Sequence, residues 1–476
     1  MTLLADLERA VGAANLIVDP TALRTYETDG LATHRAVPLA VVLPTDTSQV
    51  AAAVAVCARL SVPFVARGAG TGLSGGAVPV AEGIVIGLSR MRSILEVDVP
   101  NRRVRLQPGV TNLDVSRAVA PHGLYYAPDP SSQQVCTIGG NVAENSGGAH
   151  CLKYGFTTNH VLEVEMVLAD GQVTRLDAWG ALDLLGAVVG SEGTLGVVTE
   201  ATVRVLPTPE RVETLLADFV STDSAGEAVS AIIAAGVIPA AIEMMDGLSV
   251  RAAEEALNVG LPVDAAAILL VELDGPAVEV EIAVEEAAAL CSKAGARTVR
   301  RAANEAQRAG FWRGRKAAFP AMGRLSPDYY VQDGVVPRTR LPETLRRIDE
   351  LSRRHGLRVA NVFHAGDGNL HPLVLYDAAK GESGRAEQLA SEILLACLDA
   401  GGSLTGEHGV GLDKARHMPR MFSETDLETM HRLRCGFDPS GLCNPGKVFP
   451  TPRLCGEVPG PYREHPLERA GLAERW

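Results

Sequence analysis

The sequence predicts an α+β fold with two unlike halves and a short helical segment at the end. Its 476 residues exceed what one hydrophobic core usually supports, so two or three folding units are expected. The pattern of strands and helices changes after residues 207–209, which contain two prolines. Glycine is clustered, which indicates sharp turns or backbone lying against a ligand. Of the 48 glycines, 21 fall in the windows 68–76, 139–155, 186–196, 366–368 and 401–411.

The first predicted unit, residues 1–208, begins with a helix and a loop in residues 1–35 and continues with short strands. Thr45 or Asp46 is expected to cap the helix between the first two strands, because both side chains accept hydrogen bonds from free amides. We also predict a helix at 111–120 and a hairpin at 161–176. The other predicted strands are 40–44, 62–67, 85–88, 94–99, 103–109 and 196–207.

The second predicted unit, residues 209–422, alternates strands and helices as two split βαβ units do, so we expect a ferredoxin-like α+β domain. Residues 423–476 form the third unit, with one helix in 424–450 and a surface extension over 451–476. The elements of the second unit are strands 213–219, 240–245 and 266–273 and helices 224–235, 247–257 and 276–295.

Composition excludes several classes of protein. Hydrophobic residues make up 46% and charged residues 21%, which is typical of a globular chain. The net charge of −13 argues against a nucleic-acid partner. The eight cysteines form no CxxC pair, which excludes most iron–sulfur and zinc-ribbon sites and favours reduced thiols. Acidic residues at the start and no uncharged run long enough to cross a bilayer favour a cytoplasmic protein without a transmembrane segment.

A glycine loop follows the second predicted strand, from Arg67 to Gly76. Its alternating glycines leave backbone N–H groups free to converge on an anion such as a diphosphate. The loop is neither a Walker A motif nor a GxGxxG fingerprint, because no Gly-Lys-Ser/Thr follows it and no helix starts behind it. A tight connector without a ligand is the alternative.

Two further irregular segments, 128–148 and 190–199, are rich in glycine and small polar residues. An irregular stretch of about 20 residues inside a compact domain is usually functional. Each could be a surface loop, but together with the first loop they indicate one large cofactor that is contacted at several points.

Histidines and a carboxylate cluster in the second half. His364 and His371 flank a Gly-Asp-Gly turn, and Glu407-His408 lies in another glycine-rich turn. His364, His371 and Glu407 could form a three-ligand site with open positions for zinc, manganese or iron. Isolated histidines in a core or at the surface are the alternative.

These motifs carry a resemblance to a known family. The sequences Arg67-Gly-Ala-Gly-Thr-Gly, Pro128-Asp-Pro-Ser-Ser and Gly190-Ser-Glu-Gly-Thr-Leu-Gly resemble the FAD-binding domain of vanillyl-alcohol-oxidase-type flavoproteins, as does Gly139–Gly148. The motifs HxGDGNxH and GEHGxG resemble the 2-hydroxy acid dehydrogenase branch, most of all the glycolate oxidase D subunits. D-lactate and D-2-hydroxyglutarate dehydrogenases belong to the same branch.

The resemblance implies a two-subdomain FAD-binding domain, a substrate (cap) domain with a metal site, and a carboxy-terminal segment that returns to the FAD domain. It makes His364, His371 and Glu407 ligands of a divalent metal, His408 the general base, and Arg315 the partner of the substrate carboxylate. FAD is expected to bind non-covalently. Its implied contacts are Arg67, Gly68, Ala69, Gly70, Thr71, Gly72, Gly75, Pro128, Asp129, Ser131, Thr137, Gly139, Gly140, Asn141, Asn145, Ser146, Gly148, Glu192, Gly193, Gly196, Val197 and Asn444.

The expected reaction is oxidation of a short 2-hydroxy acid, such as glycolate or D-lactate, to the 2-oxo acid. Val331 and Leu373 stand where the hydroxyglutarate enzymes carry a lysine and an asparagine, which argues against a second substrate carboxylate. The alternatives are oxidation of D-2-hydroxyglutarate or another D-2-hydroxy acid, a flavin-free metallohydrolase, and a non-catalytic subunit. Expected electron acceptors are an iron–sulfur partner subunit or a quinone. A homodimer and peripheral attachment to the inner membrane through a partner stay open.

Overall fold

The computed structural model describes residues 2–450, so the extension predicted for 451–476 lies outside the described residues. The first sheet has the strand order β1-β2-β4-β3, with β2, β3 and β4 parallel. Helix α3 (Thr47–Leu60) connects β2 to β3 and starts where Asp46 accepts a hydrogen bond from the Gln49 amide. The strands are β1 (Leu16–Ile17), β2 (Ala40–Val42), β3 (Phe64–Arg67) and β4 (Ile84–Gly87).

A second sheet is antiparallel, with the order β5-β6-β10-β8-β9. Its strands are β5 (Ile94–Asp98), β6 (Arg103–Leu106), β8 (Val161–Val167), β9 (Val173–Asp177) and β10 (Val197–Arg204), while the short strands β7 (Leu124–Tyr125) and β11 (Leu206–Pro207) pair with each other. The two sheets have separate hydrophobic cores, which agrees with two subdomains.

The third sheet has nine strands. Four of them have the order β15-β12-β14-β13, and all three pairs are antiparallel, which is the ferredoxin-like arrangement predicted from the sequence. Strand β13 also pairs with β18, so the segment with the first two histidines extends the same sheet. The strands are β12 (Arg211–Phe219), β13 (Ala241–Asp246), β14 (Ala267–Gly275), β15 (Ala296–Arg301), β16 (Asp328–Val331), β17 (Gly334–Val335), β18 (Val359–His364), β19 (Asn369–Leu370) and β20 (Pro372–Tyr376).

Helices cover both faces of this third sheet. One hydrophobic core lies under α8, α10, α12 and α13, and the other lies under α9 and α11. The remaining helices are α1 (Leu3–Val11), α2 (Pro20–Leu23), α4 (Asn112–Val119), α5 (Ile138–Glu144), α6 (Cys151–Tyr154), α7 (Leu184–Val188), α14 (Met418–Met421) and α15 (Glu424–Phe437). The helices on the sheet are α8 (Thr222–Ala234), α9 (Gly247–Leu257), α10 (Ala277–Lys293), α11 (Glu305–Ala321), α12 (Leu341–His355) and α13 (Ser383–Asp399).

The carboxy-terminal segment returns to the first sheet, as predicted. The Phe64 amide donates to the Leu442 carbonyl at 2.9 Å, and the Asn444 amide donates to the Phe64 carbonyl at 2.8 Å. Among the described helices, none is long and apolar enough to cross a membrane. Within residues 2–450, six cysteines are free and buried, whereas Cys435 is disulfide-bonded, so the expectation of reduced thiols is wrong at that residue.

Candidate active site

A cavity of about 460 Å³ brings the glycine loops of the first half together with the histidine cluster of the second half. Most of the predicted FAD contacts line its amino-terminal wall: Arg67, Gly68, Ala69, Gly70, Thr71, Gly72, Ser131, Thr137, Gly139, Gly140, Asn141, Ser146, Glu192, Gly193 and Gly196. The residues of the second half that line it are Lys316, Phe319, Pro320, His371, Glu407 and His408.

The glycine loop packs so closely on the start of α5 that side chains are excluded between them. A Cβ atom on Gly68 would lie 2.3 Å from Oγ1 of Thr137, which caps α5 by accepting a hydrogen bond from the Gly140 amide. Arg67 supports the loop, since its guanidinium donates to the carbonyls of Thr28 at 2.7 Å and Ala77 at 3.1 Å. The glycine loop and the start of α5 therefore form one closely packed wall of the cavity.

The other predicted FAD contacts do not line the cavity, and three of them have polar partners elsewhere. Asp129 pairs with His150 at 2.9 Å, and Asn145 accepts a hydrogen bond from the Thr158 amide. Asn444 lies behind the wall and donates to the carbonyls of Gly76 and Glu192. The residues outside the wall are Gly75, Pro128, Asp129, Asn145, Gly148, Val197 and Asn444.

Glu144, Lys316 and Phe319 line the cavity, and sequence reasoning missed all three. Glu144 lies inside the recognised segment Gly139–Gly148, but a carboxylate is not expected beside an anionic cofactor. Lys316 and Phe319 lie on α11, one and four residues beyond Arg315. Lys316 and Phe319 are three residues apart and therefore share one face of the helix, which was a usable signal that they act together.

The predicted metal ligands do come together. The Nε2 atoms of His364 and His371 lie 3.2 and 3.3 Å from Oε1 of Glu407. All three side chains offer ligand atoms within 4.8 Å of one another. Neither ring nitrogen of His371 makes a hydrogen bond to another described residue, although the side chain is buried. Two imidazoles and one carboxylate with such an unsatisfied nitrogen fit a divalent metal.

His364 is held in place from behind. Its Nδ1 atom lies 2.7 Å from Oε1 of Glu243, so its Nε2 atom points toward Glu407. Burial works against the charged ring, but the carboxylates of Glu243 and Glu407 raise the pKa of His364 well above its ordinary value. The Glu243 contact was not predicted, because strand β13 is distant in sequence and meets β18 only through sheet pairing.

The segment that carries His408, the predicted base, is organised by Asp333. This fully buried carboxylate accepts hydrogen bonds from the backbone amides of Gly406 at 3.1 Å and His408 at 2.9 Å. Lys414 lies 3.1 Å from it. Burial opposes ionisation, but the positive charge of Lys414 helps hold the pKa of Asp333 well below its usual range. Asp333 and His371 also form a second possible ligand group with His408.

His408 faces the cavity and stacks on His371, with ring centroids 4.8 Å apart. Burial lowers the pKa of His408 to about 4, although the negative charge of Asp333 opposes this effect. Its Nδ1 atom has no hydrogen-bond partner among the described residues. The ring is therefore neutral at neutral pH and has a nitrogen available to accept a proton.

The structure places Arg315 differently from the sequence-based expectation. The side chain is buried and lies outside the cavity wall, with Nε and Nη2 both 2.6 Å from Oε2 of Glu243. The guanidinium of Arg315, which was expected to bind the substrate carboxylate, is therefore paired with Glu243. The next residue, Lys316, is exposed and lines the cavity.

Comparison with known families defines the class of protein. Residues 208–448 match the model of the C-terminal domain of FAD linked oxidases, and residues 38–177 match an FAD binding domain. The chain therefore belongs to the FAD-linked oxidases, and the flavin-free hydrolase hypothesis is not retained.

Individual relatives are similar over most of their length. The chain is 53% identical to glycolate oxidase subunit GlcD of Escherichia coli (strain K12), over 92% of this chain and 89% of that protein. It is 40% identical to GlcD of Bacillus subtilis, over 89% and 92% of the two chains. A D-lactate dehydrogenase of Archaeoglobus fulgidus is 34% identical, over 90% and 95%.

Solved structures share the fold at low sequence identity. A p-cresol methylhydroxylase superposes with a TM-score of 0.79 at 16% identity, over 94% of this chain and 96% of that chain. An alkyldihydroxyacetonephosphate synthase superposes with a TM-score of 0.74 at 20% identity, over 93% and 84%.

Proposed function

We propose that the protein oxidises a short 2-hydroxy acid to the 2-oxo acid, with FAD as the hydride acceptor and a divalent metal as an aid. One observation carries the proposal: the glycine-lined wall and the residues His371, Glu407 and His408 border the same cavity. A cofactor bound along that wall lies beside the proposed metal ligands and base. The names of the relatives, glycolate oxidase subunit and D-lactate dehydrogenase, support this substrate class.

FAD fits the amino-terminal wall. The loop of Gly68–Gly72 and the start of α5 offer backbone amides to the diphosphate, and Asn444 supports the loops from behind. When bound, the flavin ring supplies the acceptor for a hydride from the substrate Cα. The protein residues orient the acid toward that ring and exclude water.

A divalent metal fits His364, His371 and Glu407. When bound, it supplies positive charge that binds the substrate carboxylate and lowers the pKa of the 2-hydroxyl group. His408, neutral and beside His371, accepts the hydroxyl proton. Lys316 is the cation of α11 that faces the cavity, so we assign the substrate carboxylate to Lys316 and not to Arg315.

The substrate tail is short or apolar in this proposal. Val331 and Leu373 are paired neighbours on β16 and β20, and both are buried in an apolar core. Leu373 is two residues from His371. Neither of these two side chains lines the cavity, so the preference for glycolate or D-lactate over 2-hydroxyglutarate rests on the sequence resemblance.

Anaerobic flavin reduction tests the proposal. Purified protein is mixed without oxygen with glycolate, D-lactate, L-lactate, D-malate and D-2-hydroxyglutarate, and the loss of flavin absorbance is followed. We expect glycolate or D-lactate to bleach the flavin fastest. A colourless protein that cannot be reconstituted with FAD, or a flavin that none of these acids reduces, would contradict the proposal.

Replacement of the proposed base gives a sharper test. His408→Ala should retain FAD but lose at least about 100-fold in the rate of flavin reduction, because general-base catalysis typically contributes that much. The exposed His122→Ala is the matched control and should reduce its flavin at the rate of the unchanged protein. Unchanged bleaching of the His408 variant would refute its role as the base.

Metal removal tests the ligand set. Dialysis against a chelator should abolish flavin reduction and leave the flavin spectrum in place, and one of zinc, manganese or iron(II) should restore the rate. His371→Ala should prevent that recovery. Full activity in metal-free protein would remove the metal from the proposal.

The reduced flavin must pass its electrons to an acceptor. The chain has no iron–sulfur motif of its own, and the GlcD relatives are named as subunits. We therefore propose a partner subunit with iron–sulfur clusters, or a quinone, as the acceptor. Such a partner would place the protein in the cytoplasm or peripherally at the inner membrane. Co-expression with candidate partner subunits, followed by measurement of the particle size, tests for the complex.

A further inference from the structure

Glu144 occupies a special position in the cavity wall. It ends α5 and lies between the first glycine loop and the segment that follows His408. A Cβ atom on Gly76 would lie 2.8 Å from Oε1 of Glu144, and one on Gly409 would lie 2.4 Å from its Oε2. The carboxyl group is therefore at the end of the cavity where the proposed base lies.

This carboxyl group has no protein partner among residues 2–450. Its Oε2 atom is buried without a hydrogen bond. The neighbouring Glu192, in contrast, accepts hydrogen bonds from the backbone amides of Val410 at 2.6 Å and Gly411 at 2.7 Å. Buried polar atoms are nearly always hydrogen-bonded, so an atom left unsatisfied in a ligand cavity points to a partner on the ligand.

The charges around Glu144 favour its protonated form. Glu192 and Asp29 are the acids that face it, and burial together with these two charges raises the pKa of Glu144 well above its ordinary value. Lys414 opposes this effect, but its ammonium group is engaged by Asp333 at 3.1 Å and by the Gly409 carbonyl at 3.0 Å. A protonated carboxyl group offers one O–H donor.

We propose that Glu144 is a neutral carboxylic acid that donates a hydrogen bond to an acceptor atom on the redox-active ring of FAD. The inference rests on the proposed function, which places that ring beside His408. A neutral donor stabilises the electron-rich reduced ring more than the oxidised ring, whereas an ionised carboxylate in the same place would disfavour reduction. Glu144 would thus help to set the redox potential of the flavin.

Two variants of similar side-chain length separate charge from hydrogen bonding. Glu144→Gln keeps a neutral donor, whereas Glu144→Met can neither ionise nor donate. The exposed Glu82→Gln is the control for loss of an acid elsewhere. The holoenzymes are compared by flavin midpoint potential in dye-coupled titrations, by the dissociation constant of FAD, and by thermal unfolding as a check of folding.

We expect Glu144→Gln and Glu82→Gln to keep the potential and the FAD affinity. Glu144→Met should have a more negative potential and bind FAD roughly fivefold to tenfold more weakly, as loss of one hydrogen bond implies. A more positive potential in Glu144→Gln would show an ionised native residue and overturn the inference, as would a Glu144→Met protein with both properties unchanged. A wild-type chain that binds no FAD would overturn the proposed function as well.

Discussion

Glu243 shows how one buried side chain connects two parts of the candidate site. One of its oxygens lies 2.7 Å from Nδ1 of His364, and the other lies 2.6 Å from the guanidinium of Arg315. A carboxylate behind a metal-binding histidine fixes the ring orientation and the tautomer. Arg315 compensates the negative charge of Glu243. Arg315 therefore helps to position His364 through Glu243, without facing the cavity itself.

The pair makes a direct prediction for stability. Arg315→Leu leaves the charge of Glu243 buried and partly uncompensated, so the free energy of unfolding should fall by about 3–5 kcal/mol. Chemical denaturation followed by circular dichroism measures this change. Arg313→Leu, at an exposed position on the same helix, is the control and should change stability little. Equal effects of the two substitutions would show that the Glu243 contact contributes nothing.

At the scale of elements, the segment 405–411 is fixed by contacts from both halves of the chain. Asp333 binds its first amides, and Glu192 binds the amides of Val410 and Gly411. Between these two anchors, Gly409 has φ +83°, and a Cβ atom there would lie 2.4 Å from Glu144 and 2.8 Å from Glu192. A side chain at position 409 would strain the backbone and displace these two carboxyl groups, so the position of His408 depends on this glycine.

We predict that Gly409→Ala lowers the rate of flavin reduction at least roughly tenfold, because even a small displacement of a catalytic group is costly. Gly236→Ala is the matched control, since Gly236 has φ +85° and open space around it. Both variants carry the backbone strain of about 1–2 kcal/mol, which thermal unfolding measures. A Gly409 variant as active as the Gly236 variant would show that the packing around Gly409 does not position His408.

At the scale of the whole molecule, a partly buried ionic cluster joins the two halves around the cavity. His150 of the first half lies 2.9 Å from Asp129 and 3.3 Å from Glu272 on β14, and it stacks on Trp312 of α11. Burial opposes the charge, but Asp129 and Glu272 raise the pKa of His150 to about 10. Burial also disfavours the Glu272 carboxylate, but His150 and then Arg308 lower its pKa to about 2.

These shifts predict how the contribution of His150 depends on pH. A raised histidine pKa stabilises the folded state fully below the ordinary value of 6.5, and this stabilisation is lost as the pH rises toward 10. Glu272, whose pKa is lowered, stabilises the folded state fully above its ordinary pKa of 4.5. This stabilisation is lost as the pH falls toward 2. The Tm difference between the unchanged protein and His150→Gln should therefore be largest between pH 4.5 and 6.5.

The comparison is made by thermal unfolding across this range and up to pH 10, with the exposed His122→Gln as the control. The control should show a small difference that does not change with pH. A Tm difference between the unchanged protein and His150→Gln that stayed constant from pH 6.5 to 10 would show that His150 is uncharged in the folded protein.

Much of the fold could be predicted from the sequence. Strands β2 to β6, the hairpin of β8 and β9, and the ferredoxin-like part of the third sheet all follow from local periodicity and turn residues. The predicted ends differ by only a few residues, because the side-chain periodicity and the turn residues that bound each element are local features of the sequence. The pairing of β13 with β18 could not be predicted, because it joins segments more than a hundred residues apart.

The sequence by itself determined the loops, the turns and the likeness to a family, since glycine spacing and short motifs act locally. It also brought His364, His371, Glu407 and His408 into one hypothesis. Only the tertiary structure decided that Arg315 faces Glu243, that Lys316 and Glu144 face the cavity, and that Asp333 holds the segment that carries His408. The physical reason is that a side chain's partner depends on which distant strands and helices pack beside it, and no local pattern encodes that choice.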